Sequence, residues 1–302
     1  MSFKHNGVLV TLGNYLEIFK NYEPDVLDEI RSAVLDDTPI SSFIKYCVTD
    51  AYKLGQLRMA VREYVPKEYI NPRLSGKCLY YIRQLHRIGI SLDSLEKYIP
   101  KRGKPTIEDS NLELIIQAVY CGADIRKVDF NIVPTENMDV ICEGLLKGYP
   151  MWLCVDTDSK LSNSMIRQLM KGMQLQVDIH PFLDGTWSEE QVISVLSNAN
   201  RIDVNLLLEH INSKFSVSQI TEITRTARRR LDFTLLCMKE EDGSPSFNEF
   251  QMDVLSRCLD DNVLTQEIYN PMLSDMEMED LYIAEKEKIA KEQRKKLSGT
   301  LK

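Results

Sequence analysis

Histidine is scarce in this chain, four in 302 residues, and none of the four falls in an H-E-x-x-H pair. The sequence also lacks C-x-x-C…C-x-x-C, G-x-S-x-G, G-x-x-x-x-G-K-[ST] and G-x-G-x-x-G, so the common metal, hydrolase, phosphate-loop and dinucleotide signatures are absent. His86 lies beside Arg83 and Arg87 on a polar helical face, and His180 precedes Pro181 in a connector. Neither keeps the company of a base or a ligand. The expectation is a chain that is not an enzyme, with no catalytic residue, no bound metal and no cofactor.

The seven cysteines are an odd number and none pairs as C-x-x-C. Several occupy apolar or small helical positions, as Cys258 does beside Leu259, which reads as buried reduced thiols acting as small hydrophobes. No run approaches the ~18 apolar residues needed to cross a bilayer. The start, Met1-Ser-Phe-Lys-His-Asn-Gly, lacks the basic and apolar blocks of a secretion signal, so a cytoplasmic location and no membrane partner are expected. Basic excess is missing too. With 37 Lys and Arg against 45 Asp and Glu the net charge is −8, and phosphate neutralisation needs clustered cations, so direct nucleic-acid binding is not expected.

What the sequence has is self-similarity. In Gln219–Phe233 the apolar residues Ile220, Ile223, Ala227 and Leu231 fall three and four apart, one face of an α-helix. The same phase returns at Leu27–Ile40, Leu79–Leu92, Leu112–Ile125, Asn137–Tyr149 and Gln251–Val263. It returns more loosely from Gln56, from Met165 to Gly172 (one residue out of phase) and from Gln191 (one residue short). About nine units start roughly 22 to 33 residues apart, the spacing of helical solenoids. Each has a second, shorter apolar part, such as Ser41–Cys47, Leu92–Ile99, Val177–Leu183 or Val204–Ile211, whose length suits a short helix or a 3₁₀ turn. Met151–Val155 is read the same way, with a strand as the competing assignment.

Turn chemistry supports the division. Gly89, Gly122, Gly148 and Gly172 follow apolar helical stretches, where a left-handed residue ends a helix; Asn262 suits that position next best and Arg230 poorly. The prolines sit between proposed first helices. Thr186-Trp-Ser188-Glu-Glu-Gln191 reads as a capping box. Residues 1–24 are expected to form an N-terminal cap, 25–275 the repeat array, and 276–302 a charged helix or tail that frays by Ser298-Gly299. The cationic end of that tail, Arg294-Lys295-Lys296, is either a solvated cap or a docking arm. The fold class is thus all-α, an α-solenoid of about nine irregular helix-pair repeats with a C-terminal charged helix.

The most pointed local feature is Arg225, Arg228, Arg229 and Arg230, four guanidinium groups within six residues. Such a cluster either grips phosphate or a carboxylate-rich partner, or is neutralised by Glu222, Asp232 and the acidic loop Glu240-Glu241-Asp242. Trp152 and Trp187, with Tyr120, are the aromatic candidates for an exposed partner-binding face.

Gln117-Ala-Val-Tyr-Cys-Gly-Ala-Asp124-Ile resembles the L-x-x-x-G-A-D segment of ankyrin repeats, in one unit alone and without T-P-L-H. A broader resemblance, over residues 26–263, is to tandem-repeat proteins with a Q-M-x-x-I-x-x-G-L-x-x-G-L-D-V consensus, associated with mobile elements of anaerobic Gram-positive bacteria. It is carried best by Asn137–Met151, Gln219–Phe233 and Gln251–Val263. No activity is assigned to that group, so the resemblance implies fold alone. The expected function is a non-catalytic scaffold that binds another protein through a curved surface. The alternatives are an anti-defence inhibitor whose acidic surface occupies the basic channel of a nucleic-acid enzyme such as a CRISPR nuclease, and an enzyme with an unrecognised site.

Overall fold

The computed structural model describes residues 2–99, 105–155 and 161–299, the last four of these by backbone alone. The described residues are mostly helical, with a single two-stranded sheet, as an all-α chain requires. Two compact units divide it, Met1–Val155 and Asp156–Lys302.

The first unit opens on a hairpin, β1 (Phe3–His5) and β2 (Val8–Val10), registered Phe3↔Val10. Asn6 and Gly7 both take positive φ, 45° and 82°, the geometry of a two-residue turn that matches strand twist. A short helix follows, α1 (Tyr15–Ile18); strands were not expected in the N-terminal cap. Next come α2 (Pro24–Leu35), α3 (Ser41–Ile44), α4 (Ala51–Arg62), α5 (Gly76–Arg87), α6 (Asp109–Tyr120) and α7 (Met138–Leu146). The second unit holds α8 (Asn163–Gln174), α9 (Glu189–Leu196), α10 (Val204–His210), α11 (Val217–Arg228), α12 (Glu249–Asp261) and α13 (Asp275–Gly299). The second parts of the modules are α3, α10 and 3₁₀ turns at Lys67–Tyr69, Asp93–Leu95, Met151–Cys154, His180–Phe182 and Phe233–Cys237.

Packing follows chain order. In the first unit α2 packs on α4, α4 on α5, α5 on α6 and α6 on α7; in the second α8 packs on α9, α9 on α11, α11 on α12 and α12 on α13. Each long helix buries one stripe, such as Cys78, Leu79, Ile82 and Leu85 in α5, and each fully buried Leu or Ile contributes about 1.5–3 kcal/mol.

Eight helices among the described residues end alike. A residue at positive φ follows each: Asp37, Tyr64, Gly89, Gly122, Gly148, Gln176, Arg230 and Asn262. The next amide reaches back five residues to a helix carbonyl, from Thr38 to Ala33, Val65 to Ala60, Ile90 to Leu85, Ala123 to Ala118, Tyr149 to Gly144, Val177 to Gly172, Leu231 to Thr226 and Val263 to Cys258. This Schellman closure satisfies carbonyls the helix leaves open. Where neighbouring modules both carry it, the left-handed residues lie about 25 to 33 residues apart, a solenoid-like interval. Arg230 adopts the left-handed conformation despite its side chain, and Gly172 does not: it stands inside α8, where an added Cβ would lie 3.2 Å from Leu196 and 3.3 Å from Ile179. Gln176 is the turn residue of that module, which is therefore in phase.

The carbonyl closed in this way belongs to a buried residue, small at every site but Leu85. In α11 that residue is Thr226, fully buried with its hydroxyl 2.8 Å from Ser256 of α12. Ala227, the sequence-based choice, is only half-buried.

Candidate functional site

Helix starts in the second unit carry a device that joins one module to the next. Ser188, Ser216 and Asn248 cap α9, α11 and α12, each accepting from the amide of the glutamine three residues on. Gln191, Gln219 and Gln251 return the bond, their Oε1 accepting from the cap amide at 2.7, 2.7 and 2.8 Å. The rest of the side chain is spent outside the module. Gln191 Nε2 donates to the Phe215 carbonyl at 2.6 Å, Gln219 Nε2 to Phe247 at 2.7 Å and Gln251 Nε2 to Leu273 at 2.7 Å. Each acceptor immediately precedes the cap of the next long helix, Ser216, Asn248 or Ser274. The glutamines are buried, so an unmade bond there carries a full desolvation cost. The first unit has shorter or softer versions: Asn111 Nδ2 donates to Thr135 Oγ1 at 3.1 Å, and the Cys78 thiol lies 3.7 Å from the Asp109 carbonyl.

Charge is handled between neighbours as well. Arg58 of α4 pairs with Glu29 and Asp36 of α2 or its end. Arg83 of α5, buried at 6% exposure, grips Glu63 in two bonds of 2.9 and 2.5 Å and Gln56 in a third of 2.5 Å. It is not on the polar face that the sequence suggested. In the second unit Arg257 of α12 pairs with Asp253 and with Glu279 of α13, and Lys286 pairs with Asp261. Hydrogen bonds from Lys286 and Tyr282 lower the Asp261 pKa, and the guanidinium of Arg257 lowers that of Glu279.

The arginine cluster divides. Arg225 pairs with Glu222, as the sequence allowed, and with Asp253; Arg229 pairs with Asp260. Burial raises the Glu222 pKa, and Arg225 works against it. Asp232 and Asp242 serve elsewhere, Asp232 accepting from the Thr234 amide and Asp242 from Lys214 and Ser244. Neutralisation thus comes from Glu222 within α11 and from Asp253 and Asp260 of α12, one module on, and not from the loop. Arg228 and Arg230 are exposed and make no ion pair with a described residue.

Of the aromatic candidates, Trp187 is buried at 7% exposure, its ring 5.1 Å from Phe182, and presents almost nothing to a partner. Trp152 is half-buried under Lys127, 4.3 Å from the ring centre. Tyr120 is exposed and lies 5.7 Å from Tyr81. An aromatic the sequence did not single out is the most open: Tyr64, 87% exposed, stands at a left-handed φ of 57°, a conformation that costs a side-chain-bearing residue about 1–2 kcal/mol. It borders a cleft of about 730 Å³ lined by Pro39, Phe43, Val61, Val65, Pro66 and Ile70.

The other chemistry-bearing groups are occupied. His86 Nε2 donates to the Glu63 carbonyl at 3.1 Å, and exposed His180 sits 2.6 Å from Asp178. Among the described residues no three His, Cys, Asp or Glu side chains gather as a metal would need. All seven thiols are free and six are buried. Desolvation pushes Cys78, Cys142, Cys154 and Cys237 up to about 12, and Cys47 and Cys258 to about 11.

A disulfide reagent at pH 8 is therefore expected to titrate a single fast thiol, exposed Cys121, and all seven in denaturant. The pH dependence has a definite sign. These thiol pKa values are raised on folding, so their stabilisation is complete below the unfolded value near 8.5 and is lost above it, at up to about 1.4 kcal/mol per thiol per pH unit. Urea midpoints should fall steeply between pH 9 and 11; a flat profile would contradict the burial.

Comparison of the chain with known protein families, curated proteins and solved structures gave no match. Among the described residues no helix is long and apolar enough to cross a membrane.

Proposed function

We propose that this chain is a non-catalytic helical-repeat scaffold that binds another protein through the exposed flank of its stacked modules, in the cytoplasm. The observation that supports it most is the succession within each unit: every long helix packs on the next in chain order, and buried side chains close each junction. Stacks of this kind offer extended surfaces for a partner. The Tyr64 cleft adds apolar surface left open beside one such junction. The inhibitor reading draws less support, because Asp36, Glu63, Asp253, Asp260, Asp261 and Glu279 are each held against Arg or Lys and do not form an uncompensated anionic face.

Affinity capture of the tagged full chain from extracts of its host, with lysine crosslinking and mass spectrometry, tests the proposal. A defined protein crosslinked to exposed module residues such as Lys67, beside Tyr64, is the expected result. Recovery of nothing beyond the tag control would contradict it.

A further inference from the structure

We propose that the cleft between α12 and α13 docks a cationic amphipathic helix of the partner protein. The proposal rests on the scaffold reading above and names the chemistry of what one surface would hold. The cleft, of about 280 Å³, has walls formed by Phe250 and Met276. Both are turned outward, 63% and 77% exposed, although a lone Phe at the first turn of a helix gains nothing from water. Methionine is the side chain that adapts best to a foreign apolar surface.

The apolar walls continue along α13. Met276, Asp280, Ile283 and Glu287 are all exposed, and their spacing of four, three and four puts them on one stripe. Buried Met278 and Tyr282 lie on the opposite side and face α12. The outward stripe alternates apolar and acidic groups, and nothing in the second unit covers it.

Charge selects the occupant. Of the four acids that line the cleft, Asp253 and Glu279 are held by Arg257 and Asp253 also by Arg225, which leaves Asp275 and Asp280 as the surplus. Asp275 accepts from Asn248 Nδ2, and Asp280 makes no hydrogen bond or ion pair with a described residue. The surplus negative charge repels nucleic acid and anionic lipid surfaces. It complements a helix whose apolar anchors repeat every three to four residues between Lys or Arg, laid along the groove.

The test uses the full chain and a fluorescein-labelled synthetic helix of alternating Leu and Lys blocks, followed by anisotropy at about 0.1 M salt, where exposed charges still attract over ~10 Å. Saturable binding is expected. Phe250→Ser with Met276→Ser should weaken it about tenfold or more, the effect of removing central apolar anchors. Asp280→Lys should weaken it and flatten its salt dependence, whereas Glu240→Lys with Glu241→Lys, on a loop that does not line the cleft, should change it far less. All these side chains are exposed, and circular dichroism checks that the variants fold. No binding by the unaltered chain, an unchanged affinity in the Phe250/Met276 variant, or weakening by the loop variant equal to that by Asp280→Lys would overturn the proposal. So would concentration-dependent self-association lost in that variant, which would assign the groove to a second copy. Host capture separates the two levels: a partner retained by the Phe250/Met276 variant ends the groove proposal alone, and no partner at all ends the scaffold reading.

Discussion

Gln219→Glu is expected to destabilise the second unit by about 2–4 kcal/mol, no less than Gln219→Ala, because it leaves buried groups unpaired or opposed. In an ordinary capping box glutamate and glutamine are interchangeable, since only an acceptor is needed for the cap amide. Here the same side chain must also donate. Its Oε1 accepts from the Ser216 amide at 2.7 Å, while its Nε2 donates to the Phe247 carbonyl at 2.7 Å. A carboxylate keeps the first bond and turns a bare oxygen toward the second, inside a site only 8% exposed. Urea unfolding followed by circular dichroism measures the loss. The pH dependence gives an independent check. A carboxyl that must be neutral to donate has its folded pKa raised, so the deficit should shrink as pH falls below about 5. Exposed Gln117 supplies the control: Gln117→Glu should move stability by less than about 0.5 kcal/mol. A Gln219→Glu protein as stable as the parent would show that the cross-module bond contributes nothing.

Gly144→Ala should cost about 1–3 kcal/mol in the first unit, the usual range for overpacking a closed site. An added Cβ would lie 2.2 Å from Met151 Sδ and 2.6 Å from its Cγ, and Met151 is fully buried with no open side to retreat to. The close approach is how the 3₁₀ turn at Met151–Cys154 seats on α7. Met151→Ala alone should cost about 2–5 kcal/mol for the cavity it leaves. The double variant should cost clearly less than the two together, because the alanine at 144 then grows into that cavity. Simple additivity in thermal or urea unfolding would mean that the contact is not what keeps 144 small.

Much of this was legible in the sequence, for reasons that can be named. Period and turn chemistry are local, so the helices, the second short parts and the box at Ser188-Gln191 could be read from spacing. The left-handed ends at Gly89, Gly122 and Gly148 followed from glycine, and the one at Asn262 from asparagine. Asp37 falls at the turn position of the Leu27–Ile40 unit, whereas Tyr64 and Gln176 were missed there because tertiary closure, and not propensity, holds them. The hairpin had a signal, Asn6-Gly7 between apolar residues, but three-residue strands are too short for alternation to register. Arg83 and Trp187 were placed outside because a charge or an indole at a helical position says nothing about the Glu63 or Phe182 that meets it. Gln219 was visible as the first residue of the repeat, yet its role was not, since its second partner, Phe247, belongs to the next module.

Neighbouring modules of the second unit lean on one another through those buried amides. Native-state hydrogen exchange on Gln219→Ala measures this most directly. Protection should fall in two places, at the first turn of α11 and across residues 247–252 at the start of α12, with α5 in the first unit unchanged. Loss confined to the Ser216 amide and its immediate neighbours, with α12 as protected as in the parent, would reduce the glutamine to a local cap and contradict the account.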